Sequence, residues 1–563
     1  MAEPAPVRIG NASGFYGDRF SAMREMLEGG HLDVLTGDYL AELTMLILGR
    51  DRLRDSSLGY ARTFLRQLED CLGLALDKGV AIVANAGGLN PESLAAAVAD
   101  LAGRLGLQPR IGYVIGDDLL PRAAELGYGE PVAANAYLGG WGISACLQAG
   151  ANVVVTGRVT DASLVVGPAA AHFGWHPHDF NAIAGAMAAG HVIECGAQAT
   201  GGNYAFFREI PDLRHPGFPI AEVYPDGSSV ITKHPGTGGA VSVGTVTAQL
   251  LYEVTGPLYA GPDATLLLDT VRLMSDGPDR VRIVDVLGLP PPPTLKVSLN
   301  SLGGYRNQVE FVLTGLGIEA KAELVRDQLA GAVPANAEWT LARTDHPNAE
   351  NEEAASATFR CVVRGSDPKA IGRAFSGAAV ELALASYPGF HMTAPPGDAQ
   401  PYGLFTAAYI DRSQVQQVAV LPDGSSVSVY EPDLTDPQDR DEPPGPRAWT
   451  ETGPVRRVPL GLLAGARSGD KGGDANVGVW VRDERAYSWL ASTLTVEKLR
   501  ELLPEAAKLP VTRHLLPNLY AVNFVIEGIL GDGVAAGARF DPQAKALGEW
   551  LRARSVDIPV SLL

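Results

Sequence analysis

The segment Gly190–Tyr204 gathers most of the side-chain types that an acyl-transfer site needs. It holds an imidazole, a carboxylate, a thiol and two amides, which belong to His191, Glu194, Cys195, Gln198 and Asn203. If the segment begins as a helix, His191 and Cys195 are four residues apart and share one helix face. The glycines that follow, Gly196, Gly201 and Gly202, would end that helix and bring backbone N–H groups to a ligand.

These groups predict one of two states for the segment. In the first, Cys195 is a nucleophile, His191 or Glu194 assists it, and the backbone amides stabilise an oxyanion. In the second, Cys195 is a small buried side chain and the glycines form only a tight turn, since free cysteines are most often structural. The residues alone leave both states open.

Polar residues also follow most of the short apolar runs that alternate with helical patterns between Val7 and Trp175. In chain order they are Asn11, Gly14, Asp18, Arg19, Asp38, Asn85, Gly87, Gly88, Asn90, Asp117, Asp118, Asn135, Arg158 and Asp161. Ligands bind at the carboxyl ends of parallel strands in α/β folds, so we predict a shared substrate-binding floor there, with Asp161 among the catalytic groups. Any single one of these turns could instead be ordinary helix capping, for which Asp and Asn are well suited.

The elements that must position these residues predict an α/β fold. Residues 1–205 alternate strands and helices, which indicates a large N-terminal domain with a mainly parallel sheet. Residues 206–430 mix hairpins and helices and are predicted to form a mixed α+β second lobe that completes the core. The proline-rich, acidic residues 431–455 are predicted to be a linker. The order of strands and helices in residues 456–563 indicates a C-terminal ferredoxin-like domain.

Two charged, glycine-rich turns are further candidates for substrate binding. Lys233 and His234 precede the turn Pro235–Gly239, whose amides could meet an anionic group, although a simple turn fits equally well. Arg467, Asp470 and Lys471 lie in a predicted turn between two apolar strands. We expect this turn either to be solvated or to reach over the first domain's site or a subunit interface.

Composition excludes several classes of protein. The formal net charge of −19 argues against nucleic acid as a partner, because a phosphate-binding face needs clustered Lys and Arg. No apolar run is long enough to span a membrane, and the N-terminus lacks the apolar core of a signal peptide. The four cysteines fit a reducing cytoplasm rather than a disulfide framework.

No metal or other cofactor is expected. The loop Gly10–Arg19 matches neither the Rossmann nor the Walker pattern, so a bound nucleotide is not predicted. His172, His176 and His178 crowd near the opening segment, but they lack the helical spacing of a zinc enzyme. A metalloenzyme therefore stays an alternative to the prediction of a metal-free site.

Taken together, the sequences of these turns resemble a known family. G-x-x-x-G-F-x-G-D-R, T-G-D-Y-L-A-E, A-N-A-G-G-L-N-P, G-R-V-T-D-A-S, E-C-G-A-Q-A-T-G-G-N-Y and K-H-P-G-x-G-G begin at Gly10, Thr36, Ala84, Gly157, Glu194 and Lys233. They resemble the acyclic terpene utilisation A (AtuA-like) family, formerly a domain of unknown function. A-R-S-G-D-K-G-x-x-A-N, which begins at Ala466, resembles the ferredoxin-like domain that follows in many members. Asn11–Ser13 departs from the more glycine-rich start expected of the first loop.

The resemblance implies an enzyme of acyclic terpene or branched acyl-CoA catabolism. It implies a (hydroxy)acyl-CoA thioester as the small-molecule substrate and lyase-type carbon–carbon cleavage as the reaction, with CoA entering only as part of the substrate. In that reaction His191 or Asp161 would take a hydroxyl proton, and amides at Gly201–Gly202 or in Pro235–Gly239 would hold the enolate.

Two alternatives remain open beside the lyase. One is a cysteine-dependent thioester hydrolase or acyl transferase, with Cys195 as the nucleophile. The other is a non-catalytic subunit or scaffold of an acyl-CoA pathway complex. We also expect a homo-oligomer, on the base rate for large α/β enzymes, and no partner among nucleic acids or membranes.

Overall fold

The structure is a computed structural model that describes residues 5–429, 432–438 and 445–563. Contacts group the described residues into two compact units. The first unit holds the residues up to Asn300 with those of Phe405–Gly531 and Gln543–Leu563, and the second holds Ser301–Leu404 and Asp532–Pro542. The predicted division at residues 205, 430 and 455 stays a prediction about parts that fold separately. Positions 431 and 439–444 of the predicted linker lie outside the described residues.

The short apolar runs form the centre of the first unit. The strands are β1 (Val7–Asn11), β2 (Val34–Gly37), β3 (Ala81–Ala84), β4 (Ile111–Ile115), β5 (Ala133–Ala136) and β6 (Val153–Thr156). Strands β1, β2, β3, β6 and β4 lie side by side in this order and pair in parallel. Every residue of β6 is buried, which explains its unbroken apolar run. The predicted α/β class, with parallel strands in the N-terminal part, is confirmed.

Strand β5 corrects one expectation. We predicted it beside the other strands, but it pairs antiparallel with Val297–Asn300 in a different sheet. Asn135 still reaches the end of β4, because its Nδ2 donates to the carboxylate of Asp117 at 2.8 Å. An apolar run predicts that a strand forms, but it does not identify the neighbour with which the strand pairs.

The helices of this part follow the predicted segments, and α7 brings its C-terminal end to the strand-end loops. They are α1 (Ala22–Gly29), α2 (Glu42–Arg54), α3 (Arg62–Lys78), α4 (Pro91–Leu105), α5 (Trp141–Gln148), α6 (Ser163–Phe173) and α7 (Phe180–Ile193). Small residues let α7 pack closely: a Cβ on Gly190 would lie 2.8 Å from the backbone of Ala162, just after β6. This contact brings the end of α7 to the loop that carries Arg158 and Asp161.

Antiparallel strands extend the parallel strands on one side. The elements are β7 (Pro219–Val223), β8 (Ser229–Lys233), α8 (Val243–Leu250), β9 (Leu258–Ala260), β10 (Thr265–Leu267), β11 (Arg272–Ser275), β12 (Val281–Val284), β13 (Leu287–Leu289) and β14 (Thr294–Thr314). Strands β7, β8, β12 and β11 continue the sheet beyond β1, whereas β9, β10 and β13 form a small sheet of their own. Residues 251–257, between α8 and β9, also belong to the first unit.

The second unit is a compact α+β structure with its own core. It contains the later part of β14, α9 (Ile318–Leu329), β15 (Glu338–Ala342), β16 (Ser356–Gly365), α10 (Phe375–Glu381) and β17 (His391–Met392). Residues Tyr305–Thr314 of β14 pair antiparallel with β16, and Phe311, Phe359 and Phe375 are fully buried between sheet and helices. Strand β18 (Gln400–Asp411) leads back to the first unit, where β19 (Val418–Val420) and β20 (Ser426–Ser428) extend the large sheet beyond β4.

The C-terminal region adds a further sheet to the first unit. Its elements are β21 (Val455–Pro459), β22 (Gly465–Lys471), β23 (Asp474–Trp480), α11 (Glu484–Thr493), α12 (Val496–Leu502), β24 (Val511–Leu516), β25 (Ala521–Ile526), α13 (Leu547–Ala553) and β26 (Ser555–Pro559). Strands β22, β23, β25 and β24 pair antiparallel in this order. The predicted turn Arg467–Asn476 is wrong for most of its length, because Arg467–Lys471 continue β22 and only Gly472 and Gly473 turn.

Candidate functional site

The C-terminal end of α7 places His191 and Glu194 side by side in the interior. His191 is 2% exposed and Glu194 8%, and His191 Nδ1 lies 3.2 Å from Glu194 Oε1. The imidazole packs against the ring of Tyr259, with ring centres 4.7 Å apart. Among the residues that the structure describes, both ring nitrogens and Glu194 Oε2 lack a well-formed hydrogen bond. Buried polar atoms in proteins are nearly always bonded, so these atoms mark where a ligand would bind.

Burial sets the protonation of this pair. It lowers the pKa of His191 to about 4, and the positive charge of Lys471 acts in the same direction. It raises the pKa of Glu194 well above the ordinary value, and the negative charges of Asp161 and Glu253 add to the rise. These shifts favour a neutral imidazole beside a carboxyl group that keeps its proton and can donate it.

Cys195 lies next to this pair, but its surroundings disfavour a thiolate. Burial raises the pKa of the thiol well above its ordinary value, and the nearby carboxylates of Glu194, Glu253 and Asp38 raise it further. No hydrogen bond joins its sulfur to His191 within the described part of the chain. Reactive cysteines need the opposite environment, one that is electropositive and contains a paired base.

An arginine and an aspartate from the loop after β6 face the pair. Arg158 Nη1 lies 3.0 Å from Asp161 Oδ1 and 3.2 Å from the carbonyl of Leu40, and the guanidinium stacks over Tyr137 at 4.3 Å. The Asp161 side chain is 28% exposed, so the site is open to solvent at this point. The charges of Asp161 and Arg158 both act on Glu194. The geometry thus brings together four of the predicted site residues: Arg158, Asp161, His191 and Glu194.

The polar residues at the strand ends lie close to the end of α7, and most of their polar atoms already have hydrogen-bond partners. Asn11 Nδ2 donates to the carbonyls of Ile193 and Glu194, at 2.5 and 2.9 Å, and so holds the end of α7. Asn85 accepts from the N–H of Tyr39 and donates to Asp38 at 2.6 Å. Burial, with the charge of Asp161, raises the pKa of Asp38 well above its ordinary value. These residues position the site and offer few unbonded groups.

Other predicted binding residues have structural partners. Asn90 caps α4 by accepting from the N–H of Ser93, and Asp18 accepts from the N–H groups of Gly14 and Arg19. Arg19 itself donates to the carbonyl of Pro216 and pairs with Glu25 at 2.9 Å.

Gly14, Gly87 and Gly88 allow close packing. A Cβ on Gly14 would lie 2.8 Å from the carbonyl carbon of Cys195, and one on Gly87 would lie 2.5 Å from the carbonyl oxygen of Thr156. Gly88 adopts a φ of 55° in the turn before α4, a conformation that favours glycine.

Several of the amides expected to hold an enolate already donate hydrogen bonds, which corrects the prediction for Gly201, Gly202, Thr237 and Gly239. The N–H groups of Gly201 and Gly202 donate to the carbonyls of Gln198 and Ala197. In the Pro235–Gly239 turn, the N–H groups of Thr237 and Gly239 are also bonded. Asn203 is exposed, with a φ of 58°.

The side chains of Lys233 and His234 also have partners away from the end of α7. Lys233 Nζ donates to the carbonyl of Thr237 at 2.7 Å and lies 3.1 Å from Asp279. His234 Nε2 lies 2.9 Å from the carbonyl of Met26, and its ring packs against Gly29 and Gly30 at the end of α1. Both side chains stabilise the loops around them, and no contact joins either one to His191 or Glu194 among the described residues.

The β22–β23 hairpin contributes the remaining part of the site. Arg467 donates to Gln198 just after α7 and stacks over Tyr252 at 4.3 Å. Asp470 lies 3.2 Å from Lys545 Nζ, which also contacts Glu253 at 3.2 Å. Lys471 acts on His191 and Glu194 through its charge. The predicted residues Gln198, Arg467, Asp470 and Lys471 are therefore brought to the end of α7.

The sequence interpretation missed several residues of this site. They are Tyr252 and Glu253, between α8 and β9, Tyr259 in β9, and Lys545 just before α13. None of them belongs to a dense polar segment or to a glycine-rich turn. Only the packing of the C-terminal sheet on residues 251–254 brings them to His191, so no local signal could have identified them.

A surface groove of about 670 Å³ lies away from these residues. It is lined by Asn181, at the start of α7, and by Tyr224, Arg272, Met274 and Arg282. A helix of this length is about 20 Å long, so the groove and the His191–Glu194 pair lie at opposite ends of α7. The arginines of the groove are paired with Asp285 and Asp276, and no orphaned buried group points into it among the described residues.

Searches for two further features of the described residues found nothing. No group of His, Cys, Asp and Glu side chains has the arrangement of a metal site in the part of the chain that the structure describes. No described helix is both long enough and apolar enough to cross a membrane.

Comparisons with known proteins agree with the resemblance seen in the turns. The profile of the family described as "Acyclic terpene utilisation family protein AtuA" matches residues 7–421. The profile described as "AtuA ferredoxin-like domain" matches residues 458–557. No curated protein and no solved structure matches the chain. The predicted resemblance and the predicted ferredoxin-like C-terminal domain are confirmed.

Proposed function

Since the chain belongs to the acyclic terpene utilisation (AtuA) family, we propose that it is an enzyme that cleaves a carbon–carbon bond in a hydroxyacyl-CoA thioester by acid–base chemistry. Family membership supports a role in acyclic terpene utilisation. The finer assignment rests on one observation: His191 and Glu194 are buried together, and three of their polar atoms lack a well-formed hydrogen bond within the described residues. A protein rarely leaves such atoms unbonded without a ligand to bind them.

The proposed cleavage is a retro-aldol step that needs no oxidant or reductant. A base takes the proton of the hydroxyl group, the carbon–carbon bond breaks, and a carbonyl product leaves. The bonding electrons form the enolate of the remaining acyl thioester. Glu194, held in its protonated form by burial and by the charges of Asp161 and Glu253, gives its proton to the enolate carbon.

Positive groups at the site would stabilise the enolate oxygen and bind an acidic substrate. Lys471 lies close enough for its charge to act on both His191 and Glu194. Arg158 lies on the other side, between Asp161 and Tyr137. These side chains replace the backbone amides that the sequence suggested for the same task. Electrostatic stabilisation of this kind is commonly worth a factor of about 10² to 10³ in rate per donor.

Turnover of a 3-hydroxy-3-isohexenylglutaryl-type CoA thioester tests the proposal, with release of the shortened acyl-CoA followed by mass spectrometry. Glu194→Gln removes the proton that Glu194 donates and keeps the side-chain shape, so we expect kcat to fall by about 10² to 10⁴. Glu130→Gln is the matched control, because Glu130 is exposed. Full activity of Glu194→Gln, or no cleavage by the unaltered protein, would contradict the proposal.

A further inference from the structure

We infer that Glu253 is the base that takes the hydroxyl proton, and that the ferredoxin-like domain holds it in place through Asn476. This inference rests on the proposed cleavage, because it names the group that must accept the proton in that reaction. Glu253 lies outside every stretch that the sequence marked as functional. It also makes the C-terminal domain a necessary part of the site.

The first step of the argument is the position of the Glu253 carboxylate. Residues 251–254 pack directly on the C-terminal sheet: a Cβ on Gly469 would lie 2.6 Å from the Tyr252 ring and 3.1 Å from Glu253 Cγ. The Glu253 side chain is 31% exposed, so it can reach a bound molecule. Arg467 stacks over the Tyr252 ring at 4.3 Å and donates to Gln198, so the loop that carries Glu253 lies beside the end of α7. The charge of Glu253 also raises the pKa of both Glu194 and Cys195.

The second step concerns the ionisation of the two glutamates. Burial alone would raise the pKa of Glu253, but the positive charges of Lys545 and Lys471 outweigh it and hold that pKa below its ordinary value. Lys545 Nζ lies 3.2 Å from Glu253 Oε1 and also contacts the hydroxyl of Tyr252. The shifts favour the protonated form of Glu194 and the ionised form of Glu253, and two carboxyl groups that differ in this way within one site can serve as an acid and a base.

The other candidates for the base fit less well. His191 is 2% exposed, whereas the side chain of Glu253 is 31% exposed. Asp161 is paired at 3.0 Å with Arg158, the arginine proposed to bind the substrate. Asp38 is 5% exposed and accepts hydrogen bonds from the N–H of Leu40 and from Asn85. Glu253 is both ionised and partly exposed beside the orphaned atoms of His191 and Glu194.

The third step is the way the backbone of Glu253 is held. Glu253 has a φ of 56°, a left-handed conformation that costs energy for a residue other than glycine. Asn476 on β23 accepts from the N–H of Glu253 at 2.8 Å and donates to the carbonyl of Leu251 at 2.8 Å. Asn523 on β25 donates to the carbonyl of Val254 at 3.0 Å. The domain thus fixes both sides of the residue.

Two reactions of the full-length protein separate this inference from the proposed function. One is cleavage of the hydroxyacyl-CoA substrate. The other is deuterium uptake from D₂O at the α-carbon of the shortened acyl-CoA product, which by microscopic reversibility depends on Glu194 and not on Glu253. In Glu253→Gln we expect cleavage to fall by at least about 100-fold and α-carbon exchange to fall by no more than about 5-fold.

Asn476→Ala tests the positioning role with the same two measurements. We expect cleavage to fall by about 10-fold and exchange by less, so that the ratio of the two rates shifts as it does in Glu253→Gln. Asn518→Ala is the matched control, since Asn518 also joins the C-terminal domain to the preceding part of the first unit, by donating to the carbonyls of Leu268 and Val271, without a bond to Glu253 or Asn476. In that variant both reactions should change by the same factor.

The outcomes decide two separate claims, the role of Glu253 as the base and the proposed cleavage itself. Retained exchange also shows that a variant is folded. If Glu253→Gln keeps both reactions, or loses both to the same extent, Glu253 is not the base. If the unaltered protein shows neither reaction, the proposed function fails and this assignment fails with it.

Discussion

The strand ends of the parallel sheet and the end of α7 are equally polar in sequence, yet the two regions differ in how completely their polar atoms are hydrogen-bonded. At the strand ends, Asn11, Asn85 and Asn90 are bonded to backbone groups, and among the described residues Asn135 keeps one atom, Oδ1, without a hydrogen bond. At the end of α7, His191 and Glu194 lie as deeply buried but keep polar atoms without a well-formed hydrogen bond in the described structure. Polar residues that the fold satisfies position a site, whereas those it leaves unsatisfied mark the place where a ligand binds.

The comparison predicts that substitutions in the two regions fail in different ways. Near α7, the activity should fall while the fold survives. At the strand ends, the fold should weaken first, and any loss of activity should follow from that.

Of the substitutions that compare the two regions, His191→Asn should have the largest effect, and that effect is on activity. The imidazole packs on Tyr259 and lies 3.2 Å from the carboxyl group of Glu194, the proposed acid, and it makes no well-formed hydrogen bond to the described residues. Because His191 positions that acid, we expect kcat for thioester cleavage to fall by about 10² to 10³, with the free energy of unfolding lowered by less than about 1 kcal/mol. Steady-state kinetics and urea denaturation of the same preparation measure both. A large loss of stability with unchanged kcat would reverse the assignment of this region.

In Asn85→Ala we expect the opposite result, a loss of stability with most of the activity kept. This change leaves the buried N–H of Tyr39 and the carboxyl group of Asp38 without their partner, and each unsatisfied buried group costs about 1 to 3 kcal/mol. Urea denaturation should show that loss, and kcat per folded molecule should fall by less than about 10-fold. Asn90→Ala, which removes a helix cap and two hydrogen bonds to the carbonyls of Ser56 and Leu58, should cost about 1 to 2 kcal/mol. If Asn85→Ala kept its full stability but no longer cleaved the thioester, Asn85 would belong to the ligand-binding residues instead.

The comparison also shows which parts of the molecule could be predicted from sequence. Helix α4 was predicted with its observed bounds, because Asn90, Pro91 and Gly106 are strong local start and stop signals. The buried parallel strands followed from runs such as Val153–Val155. The partner of β5 was not predictable, since it is a segment more than a hundred residues later in the chain that no local pattern identifies.

The sequence predicted where several polar residues converge, but not all of the residues that lie there, and their role as a site stays a prediction. The prediction found the convergence of Asn11, Arg158, Asp161 and Glu194, because each lies in a dense polar turn. It read Arg467–Lys471 as a turn, although these charges continue a strand that packs on Tyr252. It missed Glu253 and Lys545, whose roles depend on the docking of one sheet on a loop distant in sequence. Packing of that kind leaves no periodic signal.

A smaller, pH-dependent effect should come from Asp117 at the strand ends. Its carboxylate accepts from Asn135 and from the N–H of Arg158, yet burial raises its pKa to about 7 from an ordinary 3.8. Between these pH values the folded protein binds a proton that the unfolded chain has lost. The free energy of unfolding contributed by this group therefore falls as pH rises from about 4 to 7.

Asp117→Asn cannot ionise and should not show that fall. Between pH 5 and pH 7 we expect the unaltered protein to lose about 2 kcal/mol relative to the variant, as measured by urea denaturation at each pH. Asp118→Asn is the control, because Asp118 is partly exposed and paired with Arg52 at 2.8 Å. Parallel pH profiles for the unaltered protein and Asp117→Asn would show that Asp117 is ionised in the fold, despite its burial.

The smallest effect is expected in Cys195→Ser, and it tests the comparison most directly. The thiol lies beside the orphaned atoms of His191 and Glu194, so proximity alone would make it a nucleophile. Its pKa is raised by burial and by the charges of Glu194, Glu253 and Asp38, all of which oppose a thiolate. We expect thioester cleavage by Cys195→Ser and Cys195→Ala to stay within about 3-fold of the unaltered protein. A loss of more than about 100-fold in both, with an acyl-enzyme detected by mass spectrometry in the unaltered protein, would favour the cysteine-dependent hydrolase or transferase.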